Sequence, residues 1–298
     1  MKLSETDRLS FSSRLLPRIS LLLLAAALLS ACAGQFINRP PLVAAPTTIN
    51  REPIKLSVAT CRESLSRPVF DQMHELDPRS IRLVNWNIQK KSSPEWERDF
   101  DALVDGKELV LIQEASLRTG TNNERNSRSY RSFAPGYRRN GEITGVLTLS
   151  SIEPMTQCSF VIQEPVLRTP KATSVTQFSL STTDNTLVVV NVHAVNFSLG
   201  LAAFREQFER IAEVLSEHQG PIILAGDFNT WRVARMVLIE ELTARLGLQP
   251  LQFEEDHRVR SFGQPLDHIY VRGLSAVVAS TREVTTSDHN PMSATLSM

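Results

Sequence analysis

The feature that most constrains the fold of this chain is a series of apolar, β-branched runs that end in polar side chains. The clearest case is the apolar run 221–225, which is followed directly by Gly226-Asp227-Phe228-Asn229-Thr230. Four other fragments lie at or near the end of such a run: Asn85-Trp86-Asn87-Ile88, Gln113-Glu114, Asn191-Val192-His193 and Ser287-Asp288-His289-Asn290-Pro291. Short apolar runs are typical of buried strands, and α/β proteins place functional side chains at strand ends. The sequence therefore predicts one polar site assembled from several strand ends.

The order of the predicted elements indicates a fold of the α/β (α+β) class. Strands are predicted at residues 81–87, 109–112, 145–149, 173–180, 186–192, 221–225 and 267–271. Helices are predicted from about residue 93 to 103, from 201 to 215 and from 232 to 246. Turn residues at 182–185 indicate an antiparallel pair, whereas helical connections indicate crossovers. Mixed sheets packed against each other, with helices outside, therefore fit better than a doubly wound parallel sheet.

The N-terminal residues predict an export signal. Residues 19–29 are apolar, which is shorter than the about 20 residues that a membrane-spanning helix needs. Leu29-Ser30-Ala31-Cys32 follows and resembles a bacterial lipoprotein signal, in which Cys32 is lipidated. A plain signal peptide or an uncleaved anchor is the alternative. We expect a protein of the bacterial cell envelope, anchored by lipid and facing the periplasm.

These features predict three segments. Residues 1–31 are the signal peptide, and residues 32–55 form a proline- and threonine-rich tether. Residues 56–298 are long enough for one domain with a well-buried core. We expect this domain to be a monomer.

Charge is balanced overall but not locally. The chain has 32 basic and 32 acidic residues, so it lacks the global basic field of many nucleic-acid-binding proteins. Residues 118–139, however, hold six arginines and a single acid, with aromatic residues between them. A flexible basic loop of this kind favours phosphate contacts, with Arg131 and Arg138 as candidate substrate-binding residues. A solvated surface loop is the alternative interpretation.

The chain has three cysteines, and their number favours a disulfide. If Cys32 carries lipid, Cys61 and Cys158 remain in an exported protein. An even remainder in an oxidising compartment favours a bridge between them. Two buried free thiols are the alternative.

The polar residues at the strand ends define the chemistry. No zinc-type Cys/His spacing, Gly-rich phosphate loop or Gly-x-Ser-x-Gly nucleophile motif occurs in the sequence. Carboxylate and amide oxygens suit a hard cation such as Mg²⁺, and His and Asp side chains supply general acid and base. His268 is adjacent to Asp267 and should point to the opposite face of its strand, so we interpret it as structural.

In their order along the chain, the five fragments resemble the motifs of the endonuclease/exonuclease/phosphatase superfamily. Residues 191–200 and 282–291 look most like its YafD-like bacterial branch. The resemblance implies a four-layer sandwich of two mixed β-sheets flanked by helices. It also implies hydrolysis of a phosphoester bond with a divalent metal: Mg²⁺, or alternatively Mn²⁺ or Ca²⁺.

The resemblance implies a metal side of the site. Glu114 is then the chief metal ligand, Asn87 lies beside metal and phosphate, and Asp288 is a further ligand. Abasic-site nucleases of the superfamily have an acid two residues after the Asn of the first motif, whereas this chain has Gln89. Metal binding would therefore depend more on Glu114.

The resemblance also implies five catalytic residues. Asp227 orients or deprotonates the attacking water, and Asn229 hydrogen-bonds the scissile phosphate. His289 contacts the phosphoryl oxygen as acid or base, with Asp267 orienting its ring. His193 stabilises charge or protonates the leaving oxygen. The acid that pairs with this histidine in deoxyribonuclease I-like enzymes cannot be located in the sequence.

The sequence thus predicts a divalent-metal-dependent phosphoesterase, foremost a phosphodiesterase or endonuclease that hydrolyses a phosphodiester of nucleic acid or another substrate by metal-assisted attack of water. A phospholipid or sugar-phosphate phosphoesterase is the first alternative, because a membrane-tethered enzyme would meet phospholipid headgroups. A non-catalytic envelope binding protein that retains the fold is the second.

Overall fold

A computed structural model describes residues 58–66, 74–89, 95–116, 130–139 and 141–298, all within the unit formed by residues 35–298. The predicted signal peptide, Cys32 and the tether lie outside the described residues, as do residues 117–129 of the arginine-rich segment. In the described ranges, no helix combines the length and the apolarity that crossing a membrane requires.

The first sheet has six strands in the order β13-β14-β1-β2-β4-β3. Their bounds are β1 Ile81–Asn87, β2 Leu109–Ser116, β3 Tyr130–Arg139, β4 Glu142–Ser150, β13 Ser275–Thr281 and β14 Met292–Ser297. Strand β1 pairs in parallel with β2 and antiparallel with β14. The sheet is therefore mixed, as predicted.

The second sheet also has six strands, in the order β5-β6-β7-β8-β12-β9. Their bounds are β5 Thr156–Gln163, β6 Pro170–Ser179, β7 Thr186–His193, β8 Ile222–Asp227, β9 Gln249–Pro250 and β12 Asp267–Arg272. The β6–β7 pair is antiparallel, as the turn residues predict, and β7 and β8 are parallel. A separate two-stranded hairpin consists of β10 (Arg260–Ser261) and β11 (Gln264–Pro265).

Four helices are described: α1 Val58–Ser66, α2 Trp96–Val104, α3 Ala202–Leu215 and α4 Val233–Arg245. The apolar residues of α3 recur at helical spacing and pack, with residues of α1 and α4, on one face of β7 and β8. Helix α2 packs on the outer face of β1 and β2 through Trp96 and Phe100. The helices therefore form the outer layers, and the four-layer arrangement is confirmed.

The alternating side chains of β7 explain why the sheets stack. Val188 and Val190 face the helices, whereas Leu187 and Val189 face the first sheet. A strand buried on both faces needs a nearly continuous apolar sequence, which β7 has. Each fully buried aliphatic side chain stabilises the fold by roughly 1.5–3 kcal/mol.

The segment that we predicted as a flexible basic loop is in part a strand. Residues 130–139 form β3, which pairs antiparallel with β4 at the edge of the first sheet. An edge strand tolerates arginines and a proline, and a register shift between Pro135 and Tyr137 breaks the pairing locally. Phe133 and Ala134 of this strand are buried. The prediction failed because charge obscured the alternation.

A disulfide joins Cys61 of α1 to Cys158 of β5, with the two Cα atoms 5.9 Å apart. Both residues belong to the core between the helices and the second sheet. Of the two interpretations of these cysteines, the structure contains the bridge.

Candidate active site

The site forms where the strand ends of both sheets meet. Because β1 and β2 are parallel, Asn87 lies opposite Gln113, and because β7 and β8 are parallel, His193 lies opposite Asp227. Strand β12 runs the other way and begins beside Asp227 with Asp267. Across the two sheets, Asn87 Nδ2 donates to Asp227 Oδ2 over 3.0 Å. The predicted fragments thus converge on one edge of the sandwich.

A buried amide network connects the sheets directly behind this edge. Gln113 Nε2 donates to Asn85 Oδ1 (2.9 Å) and to Asn191 Oδ1 (2.7 Å), and Asn191 Nδ2 donates to the Leu147 carbonyl (3.1 Å). Buried polar groups are costly unless they are paired, so these contacts fix how the sheets stack.

The backbone at the site is unusual at three positions. Glu114 and Asn229 have positive φ angles of 56° and 52°, and Glu114 lies in the register shift of β2 against β4. Such left-handed residues cost about 1–3 kcal/mol each and tend to occur at functional sites. Gly226 has a φ of 151°, and a Cβ there would lie 1.9 Å from the Val192 carbonyl oxygen. Only glycine fits between β8 and β7 at this point.

Asp227 is the centre of the site. It is 2% exposed and accepts hydrogen bonds from the Asn229 backbone (2.9 Å), from Asn229 Nδ2 (3.2 Å) and from Asn87 Nδ2. Burial raises the pKa of Asp227 to about 6, although the positive charge of His289 acts in the opposite direction. Asp227 is therefore a carboxylate near neutral pH and a stronger base than an exposed aspartate.

His289 and Asp267 form a hydrogen-bonded pair. His289 Nδ1 lies 2.7 Å from Asp267 Oδ2, and His289 Nε2 lies 4.0 Å from Asp227 Oδ2. Trp86 Nε1 donates to the backbone carbonyl of His289 (2.9 Å) and holds it in place. Burial alone lowers the pKa of His289, but the carboxylates of Asp267 and Asp227 outweigh it and raise this pKa to about 10. The imidazole is therefore positively charged near neutral pH.

His193 has a partner that sequence reasoning missed. Its Nε2 lies 2.8 Å from Lys171 Nζ, 3.6 Å from Asp227 Oδ2 and 4.0 Å from Glu114 Oε1. An ammonium group only donates, so Lys171 is the donor and His193 Nε2 the acceptor. Lys171 is 7% exposed, and Glu164 Oε1 lies 3.9 Å from it. His193 Nε2 thus contacts a cation and lies near the carboxylates of Asp227 and Glu114.

A buried arginine holds the loops beside the site. Arg235 of α4 is fully buried and donates to the carbonyls of Val195 (2.7 Å), Asn229 (2.8 Å) and Asn196 (2.7 Å). Burial lowers its pKa to about 10, so it keeps its charge. The sequence contained a signal for this residue, because Arg235 lies at helical spacing from Leu238 on the apolar face of α4.

The remaining candidate residues are more peripheral. The Asp288 side chain is 57% exposed, with Oδ1 4.0 Å from His289 Nε2. Arg138 lies at the site edge of the first sheet, two strands from β2, and donates to the Gly141 carbonyl (2.7 Å). Arg131 lies level with Val110, at the other end of β2. The structure thus brings Arg138 near this edge but not Arg131.

His268 faces away from Asp267, as predicted. Its Nε2 contacts Thr230 Oγ1 (2.7 Å), and burial lowers its pKa to about 3, so it is neutral.

The donor set fits a hard divalent cation. Ligand atoms of Asp227, Asp267 and His289 lie within 4.8 Å of one another. Glu114 Oε1 lies 4.0 Å from His193 Nε2, which in turn lies 3.6 Å from Asp227 Oδ2. Among the described residues, Asp267 Oδ1 is buried and has no hydrogen-bond partner. Oxygen-rich sites of this type suit Mg²⁺. This cluster differs from the predicted ligand set of Glu114, Asn87 and Asp288, and all three of its members are residues that the resemblance implies to be catalytic.

Comparison with known proteins assigns the class. The profile of the endonuclease/exonuclease/phosphatase family matches residues 84–289. The chain therefore belongs to this family, whose members are generally phosphoester hydrolases. Its fold is similar to the human nocturnin catalytic domain with bound sulfate (TM-score 0.57, 17% identity, 75% of this chain and 96% of that chain). It is also similar to D. rerio TDP2 complexed with a single-strand DNA product (TM-score 0.56, 15% identity, 74% of this chain and 99% of that chain).

Within the family, the chain is similar to UPF0294 proteins, the branch that the sequence indicated. It is 35% identical over 234 residues to the UPF0294 protein of Vibrio campbellii, covering 78% of this chain and 81% of that protein. It is 37% identical over 219 residues to the UPF0294 protein of Yersinia pseudotuberculosis, covering 71% of this chain and 82% of that protein.

Proposed function

We propose that this protein is a divalent-metal-dependent phosphodiesterase. The observation that supports it is the environment of Asp227, a buried carboxylate held by two asparagines between two histidines. This arrangement places two amide donors and a cationic imidazole within 4.0 Å of the Oδ2 atom of the base. Such an arrangement suits attack of water on a phosphoester and is more than a non-catalytic binding protein needs.

Asp227 would orient the attacking water and accept its proton. Asn87 and Asn229 fix the carboxylate, so it needs no reorganisation when the water attacks. A pKa of about 6 keeps Asp227 ionised at neutral pH while making it more basic than a free aspartate.

His289 would donate from Nε2 to a phosphoryl oxygen. Its bond to Asp267 fixes the ring and stabilises the imidazolium, as an orienting carboxylate does in other sites. A preorganised donor aimed at developing negative charge is worth about 3 kcal/mol of transition-state stabilisation. Lys171 and His193 place a second cation on the opposite side of Asp227 and are candidates for returning a proton to the leaving oxygen.

Glu114 and Asn87, with the buried Asp267 Oδ1 as a further ligand, would hold the metal, which we propose to be Mg²⁺. When bound, this ion would neutralise charge on the phosphate and polarise its oxygens.

The experiment is an activity panel on purified protein. The substrates are bis-p-nitrophenyl phosphate, plasmid DNA, RNA and phospholipid vesicles, each with Mg²⁺ and with EDTA. Asp227→Asn should lower kcat at least about 100-fold, whereas Asp184→Asn in the exposed turn before β7 should not change it. Lack of activity on every substrate, or activity that EDTA leaves unchanged, would contradict the proposal.

We also propose that the protein is exported and attached to the envelope through lipid on Cys32. The Cys61–Cys158 disulfide supports export, because disulfides persist in oxidising compartments. Cys32→Ala should release the protein from the membrane fraction, which cell fractionation measures. Unchanged palmitate labelling of this variant would disprove the attachment.

A phospholipid phosphodiesterase is the second candidate function. A group of exposed apolar side chains beside the site favours it.

A further inference from the structure

The tip of the β10–β11 hairpin displays an aromatic ring at a position that rarely holds one. Phe262 is 86% exposed and shares a two-residue turn with Gly263. Both residues have positive φ angles, 47° and 80°, which defines a type I′ turn. This position favours Asn, Asp or Gly, and a bulky side chain is sterically unfavourable there. A phenyl ring held in solvent at such a position calls for a functional explanation.

Trp231 lies beside this ring, and further exposed apolar residues lie on the neighbouring segments. The Trp231 ring lies 6.2 Å from that of Phe262, and Trp231 Nε1 donates to Asn196 Oδ1 over 3.0 Å. The loop that follows Asn196 displays Phe197 (49% exposed) and Leu199 (93% exposed). We call the following set the apolar rim: Phe197, Leu199, Trp231, Val233 and Phe262. It contains four of the nine exposed large hydrophobic residues in the described part of the chain.

Hydrogen bonds connect the segments of the apolar rim to the segment that carries Asn229. Thr230 Oγ1 donates to the Pro265 carbonyl over 2.5 Å, which connects the hairpin to the segment carrying Asn229. Arg235 binds the carbonyls of Asn196 and Asn229, which connects the Phe197 loop to the same segment. A molecule bound at the rim would therefore lie beside the segment that carries Asn229.

Three arginines are neighbours of the rim residues in sequence. Arg232 lies between Trp231 and Val233, and Arg258 and Arg260 precede Phe262. Arg258 and Arg260 share a single acid, Asp256 (2.8 and 2.6 Å). These two arginines and the half-exposed Arg232 therefore leave a positive surplus over Asp256 beside the rim. Apolar side chains flanked by arginines are complementary to an anionic membrane surface, where they enter the boundary between headgroups and acyl chains.

The rim fits a lipid surface better than nucleic-acid bases. Base stacking needs open aromatic faces. Phe262 has an open ring, but the guanidinium groups of Arg232 and Arg235 lie over the adjacent Trp231 ring at 4.1 and 4.8 Å. Leu199 and Val233, moreover, are aliphatic.

We propose that the apolar rim docks the active site onto an anionic phospholipid bilayer, so that the substrate is the phosphodiester of a lipid headgroup. The identity of the substrate rests on the proposed phosphodiesterase function, whereas the docking itself does not.

The test measures vesicle binding without turnover. Every described contact lies within residues 58–298, so a chain of residues 33–298 lacks only the signal and Cys32. It is floated in EDTA with vesicles of phosphatidylcholine alone or with phosphatidylglycerol. Phe262→Asn combined with Leu199→Asn should weaken binding to the anionic vesicles at least about tenfold. Asn suits the type I′ turn, so the variant should fold.

Val277→Asn is the matched control, because Val277 is equally apolar and 68% exposed but lies on β13 of the other sheet. It should bind like the parent chain, and so should Asp227→Asn. If Asp227→Asn stays active, the proposed function fails while docking stands. Docking is overturned if the parent chain does not bind anionic vesicles, or if the double Asn variant binds them equally well. It is also overturned if the rim instead mediates dimerisation or binding of single-stranded DNA that the double Asn variant loses.

Discussion

At the residue scale, the site departs from expectation at one histidine. An acid pairs with the corresponding histidine in deoxyribonuclease I-like enzymes, but the sequence does not locate one here, and Lys171 Nζ lies 2.8 Å from His193 Nε2. An ammonium group only donates hydrogen bonds, so Lys171 is the donor in this contact and His193 Nε2 the acceptor. Lys171 therefore places a positive charge on this side of Asp227.

Replacing this charge should impair catalysis more than folding. Lys171→Met keeps the length of the side chain and removes the cation, so kcat/KM should fall about 100- to 1,000-fold. Lys171→Arg keeps a cation and should retain more activity than Lys171→Met. Steady-state kinetics on bis-p-nitrophenyl phosphate measures the effect, and the thermal midpoint of each variant controls for folding. Equal activity of Lys171→Met and the parent protein would show that the cation has no role.

The pKa of Asp227 predicts how activity depends on pH. A protonated Asp227 cannot accept a proton from water, so kcat/KM should fall as pH falls through about 6. The pKa of His289 is raised to about 10, so loss of its proton should lower activity only above that pH. A pH profile of kcat/KM measures both limbs. An acidic limb near pH 4 would contradict the account of Asp227 burial.

At the scale of elements, the site depends on how closely β7 and β8 approach. Parallel pairing sets His193 beside Asp227, and it does so only because Gly226 lies opposite Val192 without a Cβ. The polar ends of the two strands are therefore positioned by backbone contact.

Gly226→Ala should destabilise the protein strongly. The new Cβ would lie 1.9 Å from a backbone oxygen, which cannot move without separating the strands. We expect a loss of roughly 3–5 kcal/mol in the free energy of unfolding, measured by urea denaturation. Gly200→Ala is the control, since a Cβ at that position would have no described neighbour within 4 Å. Similar stability of both variants would show that β7 and β8 tolerate wider spacing.

At the scale of the whole molecule, the disulfide closes a long loop that contains four strands of the first sheet. Cys61 and Cys158 are 97 residues apart, and β1 to β4 of the first sheet lie between them. The bridge itself joins α1 to β5 of the second sheet.

Removing the bridge should therefore affect global stability. Cys61→Ala with Cys158→Ala should cost roughly 2–5 kcal/mol, because a long loop in the unfolded chain is no longer closed. Chemical denaturation measures this, with and without a reductant. The reductant should destabilise the parent protein and leave the double variant unchanged. A parent protein that is insensitive to reductant under unfolding conditions would contradict the role of the bridge.

Local sequence was sufficient to predict the buried strands, the amphipathic α3 and the candidate residues that the strand ends bring together, from Asn87 to His289. These features are encoded locally, in apolar periodicity and in the polar residues that interrupt it. Strand β3 was missed because its alternation is masked by arginines at an edge, where pairing on one side suffices.

Which side chains meet became clear only from the three-dimensional packing. The Lys171–His193 contact and the Arg235 clamp join residues that are distant in sequence, and strand register separates Arg138 from Arg131. Register and side-chain direction arise from long-range pairing, which local pattern does not specify. The same reason explains the apolar rim, since exposure of Phe262 and Leu199 follows from what packs around them rather than from their own identity.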